Sequence, residues 1–147
     1  MRFLFPLPPP ILCFSIGVVM YALPQIGRYS RFFYAIWFFI LVSILVAAAS
    51  VWQFYRNETS IDPKQLDKTT RLVTSGIFQI TRNPMYLSLL LILVSWALWL
   101  GHLLAWSGVI IFIFLMNQFQ ISREEIYLEK KFGDTYRRYK SKVRRWI

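Results

Sequence analysis

The sequence predicts an all-α protein: an integral-membrane bundle of about four transmembrane helices followed by a cytoplasmic helical tail. Three observations carry this. The 147-residue chain is 56% hydrophobic and only 16% charged, against roughly 45–50% and about 25% in an ordinary soluble domain, so a soluble globule is excluded. Its charge-free stretches reach the roughly 20 apolar residues that a bilayer's hydrocarbon core requires. Its Lys and Arg residues are also sorted between the intervening segments in a way that orients such helices.

Taken in order, the first charge gap runs from Ile11 to Ile26, is interrupted by Pro24, and predicts a short membrane helix over residues 11–27. A cleaved signal peptide would be the alternative. Met1-Arg2 is a thin basic start, Pro8-Pro9-Pro10 stands where the apolar region of a signal would continue, and no small-x-small cleavage site follows. The second helix is predicted over 32–55. Its aromatic group Phe32, Phe33, Tyr34, Trp37, Phe38 and Phe39 suits lipid-facing or helix-packing surface, and Ala47-Ala48-Ala49-Ser50 suits close approach of a neighbouring helix. Residues 83–122 contain no Asp, Glu, Lys or Arg over 40 positions, enough for two crossings. Gly101-His102 divides them into helices over 85–100 and 103–122 joined by a tight hairpin, with His102 expected as an interfacial turn residue remote from any site. Residues 56–84 form a cytoplasmic loop, with a turn at Asp62-Pro63-Lys64, and 123–147 a cytoplasmic tail; the whole is a single membrane domain without internal repeats.

Orientation follows from the basic residues. Arg2, five in the loop from Arg56 to Arg82 and nine from Arg123 onward lie on one side, while Arg28 and Arg31 lie on the other, which places both termini in the cytoplasm, at the inner membrane if the cell is prokaryotic. The net charge of +10 could serve nucleic acid through the tail Tyr136–Trp146. A basic amphipathic segment directly after a membrane helix instead fits anionic lipid head groups, so membrane lipids and not nucleic acid are the expected partners. Asp134 after Gly133 reads as the N-cap of a last short helix. One Cys, Cys13, and one His, His102, exclude a disulfide framework and a structural zinc site. Cys13 is expected as an inert apolar residue.

Chemistry is sought where polar groups occur at membrane depth. Asn117, Gln120 and Glu124 are spaced i, i+3, i+7, a polar stripe on one face of a continuous helix, with Tyr127 three residues further. Glu124 and Glu125 have no basic residue three or four positions away, and Glu125 faces Glu129. Their partners are therefore either distant cations such as Arg82 or a bound cationic ligand. A second group ends the cytoplasmic loop: Asn83 is a good N-cap, Pro84 suits the first helical position, and Arg82 adds a guanidinium fork beside a helix start that attracts anions. An anion-binding helix start and a carboxylate pair on one membrane face suit a zwitterion with an amino-acid head.

Leu72-Val73-Thr74-Ser75-Gly76-Ile77-Phe78, Arg82-Asn83-Pro84-Met85-Tyr86, a helical hairpin, Glu124-Glu125, and Phe132-Gly133-x-x-Tyr136-x-x-Tyr139 with Val143-x-Arg145 resemble the isoprenylcysteine carboxyl methyltransferase and phospholipid methyltransferase superfamily, over about residues 66–147. The resemblance implies an integral-membrane enzyme that binds S-adenosylmethionine in a cytoplasm-facing pocket and methylates a lipophilic small molecule or lipid arriving from the bilayer. It implies Arg82, Asn83, Pro84 and Tyr86 in the cofactor site, Glu124 and Glu125 at its amino-acid or ribose end, and Tyr136 and Tyr139 closing the pocket; Gln120, from the polar stripe, is counted with the cofactor-binding candidates. Glu124, Glu125 and Arg82 are the catalytic candidates, and no metal is implied. The chain departs from the family pattern in carrying Asn83 where His is frequent and Ser88 where Gly is frequent; Asn hydrogen-bonds but does not change charge near neutral pH. An isoprenylated cysteine, a phosphoethanolamine head group or another lipophilic acid or amine would fit as acceptor. Two other readings compete: an NADPH-dependent membrane reductase related to sterol reductases, and a non-catalytic small membrane subunit.

Overall fold

A computed structural model describes residues 8–57 and 71–147; Arg2 and the Asp62-Pro63-Lys64 turn lie outside them. Among the described residues all regular structure is helical. Helix α1 spans Pro9–Ala22, α2 Phe33–Arg56, α3 Pro84–Leu100, α4 Trp106–Leu115, α5 Ser122–Phe132 and α6 Asp134–Lys142. A 3-10 turn at Leu103–Ala105 and a π-turn at Met116–Ile121 join onto α4 and α5, giving one continuous 30-residue rod from Leu103 to Phe132. That rod and the 24-residue α2 are long and apolar enough to cross a bilayer, whereas α1 and α3 are shorter apolar helices.

α1 ends five residues before the sequence predicts. Leu23 leaves the helical region at φ −68°, ψ 147°, as the residue before a proline must, because Pro24 Cδ clashes with a helical predecessor. The chain then folds across the α3–α4 turn: Tyr29 N donates to Gly101 O at 2.9 Å and Leu103 N to Gly27 O at 3.0 Å. Gly101, at φ 71°, caps α3 in the left-handed conformation. His102 is a turn residue as expected, and it is buried at 1% exposure, with this strap paired to it through Arg28. Its Nδ1 accepts from Ala105 N at 3.2 Å and so starts the 3-10 turn.

α3 is the central helix, in contact with α1, α2 and α4. Its seam with α2 is built on small polar residues at heptad spacing. Ser43 Oγ donates to Ser88 O at 2.8 Å and Ser95 Oγ to Ile36 O at 3.1 Å. Ser50, fully buried, continues the α2 row seven residues on; of the Ala47–Ser50 stretch, Ala47 and Ala49 are half-buried and Ala48 is exposed. The opposite side of α2 carries Tyr34, Trp37, Phe38, Trp52 and Tyr55 exposed, a lipid-facing surface in a bilayer. The core proper joins α1, α3 and α4: Leu12, Ile16 and Met20 with Leu93 and Ala97 and with Val109, Phe112 and Met116. Cys13 is buried among them.

α1 reaches α4 closely because Gly108 has no side chain. A Cβ there would stand 2.3 Å from Met20 Cγ and 3.2 Å from Ile16 Cγ2, and Met20, at 0% exposure, has nowhere to swing. Gly108→Ala is expected to destabilise the bundle by about 1–3 kcal/mol, the usual range for overpacking. Gly17→Ala, whose Cβ would meet only Trp96 at 3.9 Å, is the near-neutral control. Melting of both variants in detergent checks this, and equal melting temperatures would count against the packing.

Candidate functional site

The loop before α3 and the C-terminal tail are brought together by a chain reversal. Gly133, at φ 53° and ψ −127°, ends α5 and caps α6, so α6 runs back along α5. Asp134 is therefore the first residue of α6 and not its cap; its carboxylate pairs with Arg137 at 3.0 Å. The residues after α6 then reach the start of α3. Arg82 N donates to Arg144 O at 3.0 Å, Thr81 Oγ1 to Arg145 O at 3.1 Å and Asn83 Nδ2 to Arg145 O at 2.9 Å. Asn83 does occupy the N-cap position of α3, but its side chain makes no capping bond. It is spent on Arg145, and Thr81 Oγ1 takes the Asn83 N–H at 3.1 Å. Pro84, buried, is the first residue of α3 as predicted.

Two clusters lie side by side here. In the first, Glu124 Oε1 accepts from the Tyr86 hydroxyl and from Gln120 Nε2 at 2.6 Å; Gln120 Nε2 also lies 3.4 Å from the Tyr86 oxygen. Among the described residues no Lys or Arg forms an ion pair with Glu124. In the second, Glu125 is buried and meets three cations: Arg82 NH1 at 3.0 Å, Arg145 through Nε and NH2, both at 2.8 Å, and Lys140 Nζ at 3.7 Å. Arg82 NH1 also lies 3.5 Å from the Tyr136 hydroxyl, which accepts from it. The two neighbouring acids thus have opposite electrostatic surroundings. For Glu125 the distant cation Arg82 is one partner, as the sequence allowed, and Arg145 is a second that local spacing did not reveal, since twenty residues and a reversal separate the two.

The polar stripe is divided by the π-turn. Gln120 and Glu124 turn to Tyr86, whereas Asn117 Oδ1 accepts from Trp146 Nε1 at 3.2 Å. Ser122 Oγ donates to Asn117 O at 2.6 Å, supplying a partner to a backbone carbonyl within the wider turn. Tyr127 lies under the Lys131 ammonium, 5.6 Å from its ring centre, away from both clusters. Tyr139 does not reach Glu124: its hydroxyl donates to Phe78 O at 2.6 Å and pins the 3-10 turn at Gly76–Gln79. Burial pushes the Tyr136 and Tyr139 phenols above their usual range, so both stay protonated at neutral pH.

Whether these residues fit a zwitterionic cofactor can be tested on two atoms. Arg82 Nε is buried without a hydrogen-bond partner, a donor that a carboxylate would satisfy. Glu124, held by a hydroxyl and an amide but by no described cation, is the complementary pole for a positive group. A guanidinium with an unused donor and a carboxylate without a described cation are compatible with an amino-acid head.

Over residues 30–135 the chain matches the phospholipid methyltransferase family. Two Haemophilus influenzae proteins, each described only as uncharacterized, are similar to it. One is 76% identical over 63 residues, 43% of this chain and 100% of that protein; the other is 49% identical over 47 residues, 32% of this chain and 69% of that protein. No solved structure matches. The family match begins well before residue 66, where the motif resemblance starts, and so takes in α2 as well as Arg82, Asn83, Pro84, Tyr86, Gln120 and the Glu124-Glu125 pair; Tyr136, Tyr139 and Arg145 fall just beyond it. With the match spanning α2 through α5, the chain belongs to the phospholipid methyltransferase family.

Proposed function

We propose that this protein transfers a methyl group from S-adenosylmethionine to a lipophilic acceptor, a carboxylate or an amine, at the cytoplasmic face of a membrane that its helices span four times, with both termini cytoplasmic. Membership of a phospholipid methyltransferase family points to methyl transfer onto a lipid-related substrate. The observation that carries the finer reading is the contrast between the two acids: Glu125 saturated with cations and Glu124 positioned but without a described cation.

A sulfonium-bound methyl is already activated when the cofactor is present, so the protein's task is alignment and exclusion of water. Tyr86 and Gln120 fix the Glu124 carboxylate from two directions. Glu125 holds Arg82 against the tail, which keeps the guanidinium beside the start of α3. Buried Tyr136 and the returning Arg145 close the cytoplasmic side. A carboxylate acceptor reacts as its anion and needs no base. An amine acceptor arrives protonated, and Glu124 is the group of this chain placed to take its proton.

Calorimetry of the detergent-purified protein with S-adenosylmethionine, and with NADPH in parallel, tests the reading. Saturable binding of the former in about the micromolar range, corresponding to roughly 8 kcal/mol, is the expected result. NADPH binding instead would favour a reductase, and binding of neither would sink both enzyme readings for the isolated chain. Transfer of labelled methyl to an extracted lipid fraction then identifies the acceptor class.

A further inference from the structure

The cations of the C-terminal hairpin are sorted by the fold into two sets. Every described acid already has its partners: Glu124 has Tyr86 and Gln120, Glu125 has Arg82, Arg145 and Lys140, Glu129 has Arg137 and Lys140, and Asp134 has Arg137. These pairings consume Arg137, Lys140 and Arg145, each of which meets an acid of α5. Arg138, Lys142 and Arg144 are exposed and form no ion pair among the described residues. Arg138 and Lys142 are moreover i, i+4 neighbours on α6, an arrangement that costs a helix stability unless something negative faces it.

The neighbours of this set indicate what faces it. The strap that follows α6 is bonded through its backbone to residues 81–83, where the apolar helix α3 begins. Trp146 reaches Asn117, inside the charge-free part of the long rod, and Ile147 is 72% exposed beside it. An indole, an exposed aliphatic side chain and three cations without an ion pair among the described residues, all within residues 138–147, reproduce the composition of a membrane interface. We propose that Arg138, Lys142 and Arg144 form a docking surface for the head groups of anionic phospholipids in the host membrane, so that the tail closing the candidate site is held down by lipid charge. This rests on the membrane placement proposed above, and flotation with neutral lipid tests that placement separately.

The test uses the full-length protein in nanodiscs of phosphatidylcholine alone and of phosphatidylcholine with about one-third phosphatidylglycerol, with amide hydrogen exchange read along α6. Slower exchange in the acidic bilayer, by about threefold or more, is expected for the native protein, and it should be abolished at about 0.5 M salt, where screening acts within a few ångströms. The variant Arg138→Gln/Lys142→Gln/Arg144→Gln should lose the slowing, Arg138→Lys/Lys142→Arg should keep it, and Lys130→Gln, which removes an exposed cation near the far end of α5, should also keep it. Equal exchange of native α6 in both bilayers while the protein still floats with neutral lipid would overturn the proposal and leave the membrane placement intact. Retention of the effect in the triple variant, or its equal loss in Lys130→Gln, would overturn it too. Protection by a short oligonucleotide but not by phosphatidylglycerol would assign the patch to nucleic acid instead.

Discussion

Glu125→Gln is expected to destabilise the protein in the absence of any ligand, by about 3 kcal/mol, the lower end of what breaking a buried ion pair costs. The reason is the company this carboxylate keeps. It is the acid shared by Arg82, Arg145 and Lys140, and Arg82, with a side chain only 9% exposed, has no water to turn to when the charge disappears. Arg145 and Lys140 are more than one-third exposed and recover solvation, which keeps the figure from the upper end. The amide of Gln can still accept one hydrogen bond, but its NH2 would face guanidinium groups that are themselves donors only. Because Arg145 O anchors Thr81 and Asn83, loss of the pair should also release the strap, seen as faster proteolysis of residues 143–147. The melting temperature of the unliganded variant is the decisive measurement. Unchanged melting with abolished cofactor binding would show that Glu125 contacts the cofactor directly and is not the keystone of an ion-pair cluster.

How much of this was legible in the sequence depends on the range of each interaction. The apolar helices announced themselves through composition, two of them long enough to cross a bilayer, and the division of residues 83–122 at Gly101 followed from a backbone conformation that glycine favours. Pro84 and the helix start after Arg82 were equally local. What depended on the chain's return was hidden. Glu125 visibly lacked a neighbouring cation, yet only the reversal at Gly133 brings Arg145 and Lys140 to it. Asn83 had the residue type and position of a capping side chain, and a carbonyl arriving from residue 145 outcompeted the cap. The i, i+3, i+7 stripe assumed a regular helix, and the π-turn at Met116–Ile121 gave Asn117 a different partner from Gln120 and Glu124. The signal for that turn, a row of polar residues ending an apolar span, was present but did not specify its geometry.

Glu124→Gln is expected to do the reverse of Glu125→Gln: cofactor affinity should fall by about 1.5–3 kcal/mol, the strength of a hydrogen bond to a charged group, which is roughly ten- to more than a hundredfold, while unliganded melting changes little. The neutral amide keeps the length of the side chain, and its carbonyl oxygen can still accept from Tyr86 and Gln120, so the local structure loses no partner. No described cation is left unpaired, because none pairs with Glu124 in the native protein. What is removed is the ionisable group: burial pushes the Glu124 carboxyl up to about 7, so its charge develops fully only beside a positive group that arrives from outside. Calorimetric titration of S-adenosylmethionine into both Glu variants, beside their unliganded melting curves, separates the two roles. A Glu124→Gln protein that binds the cofactor as tightly as the native one would remove the central support for methyl transfer at this site.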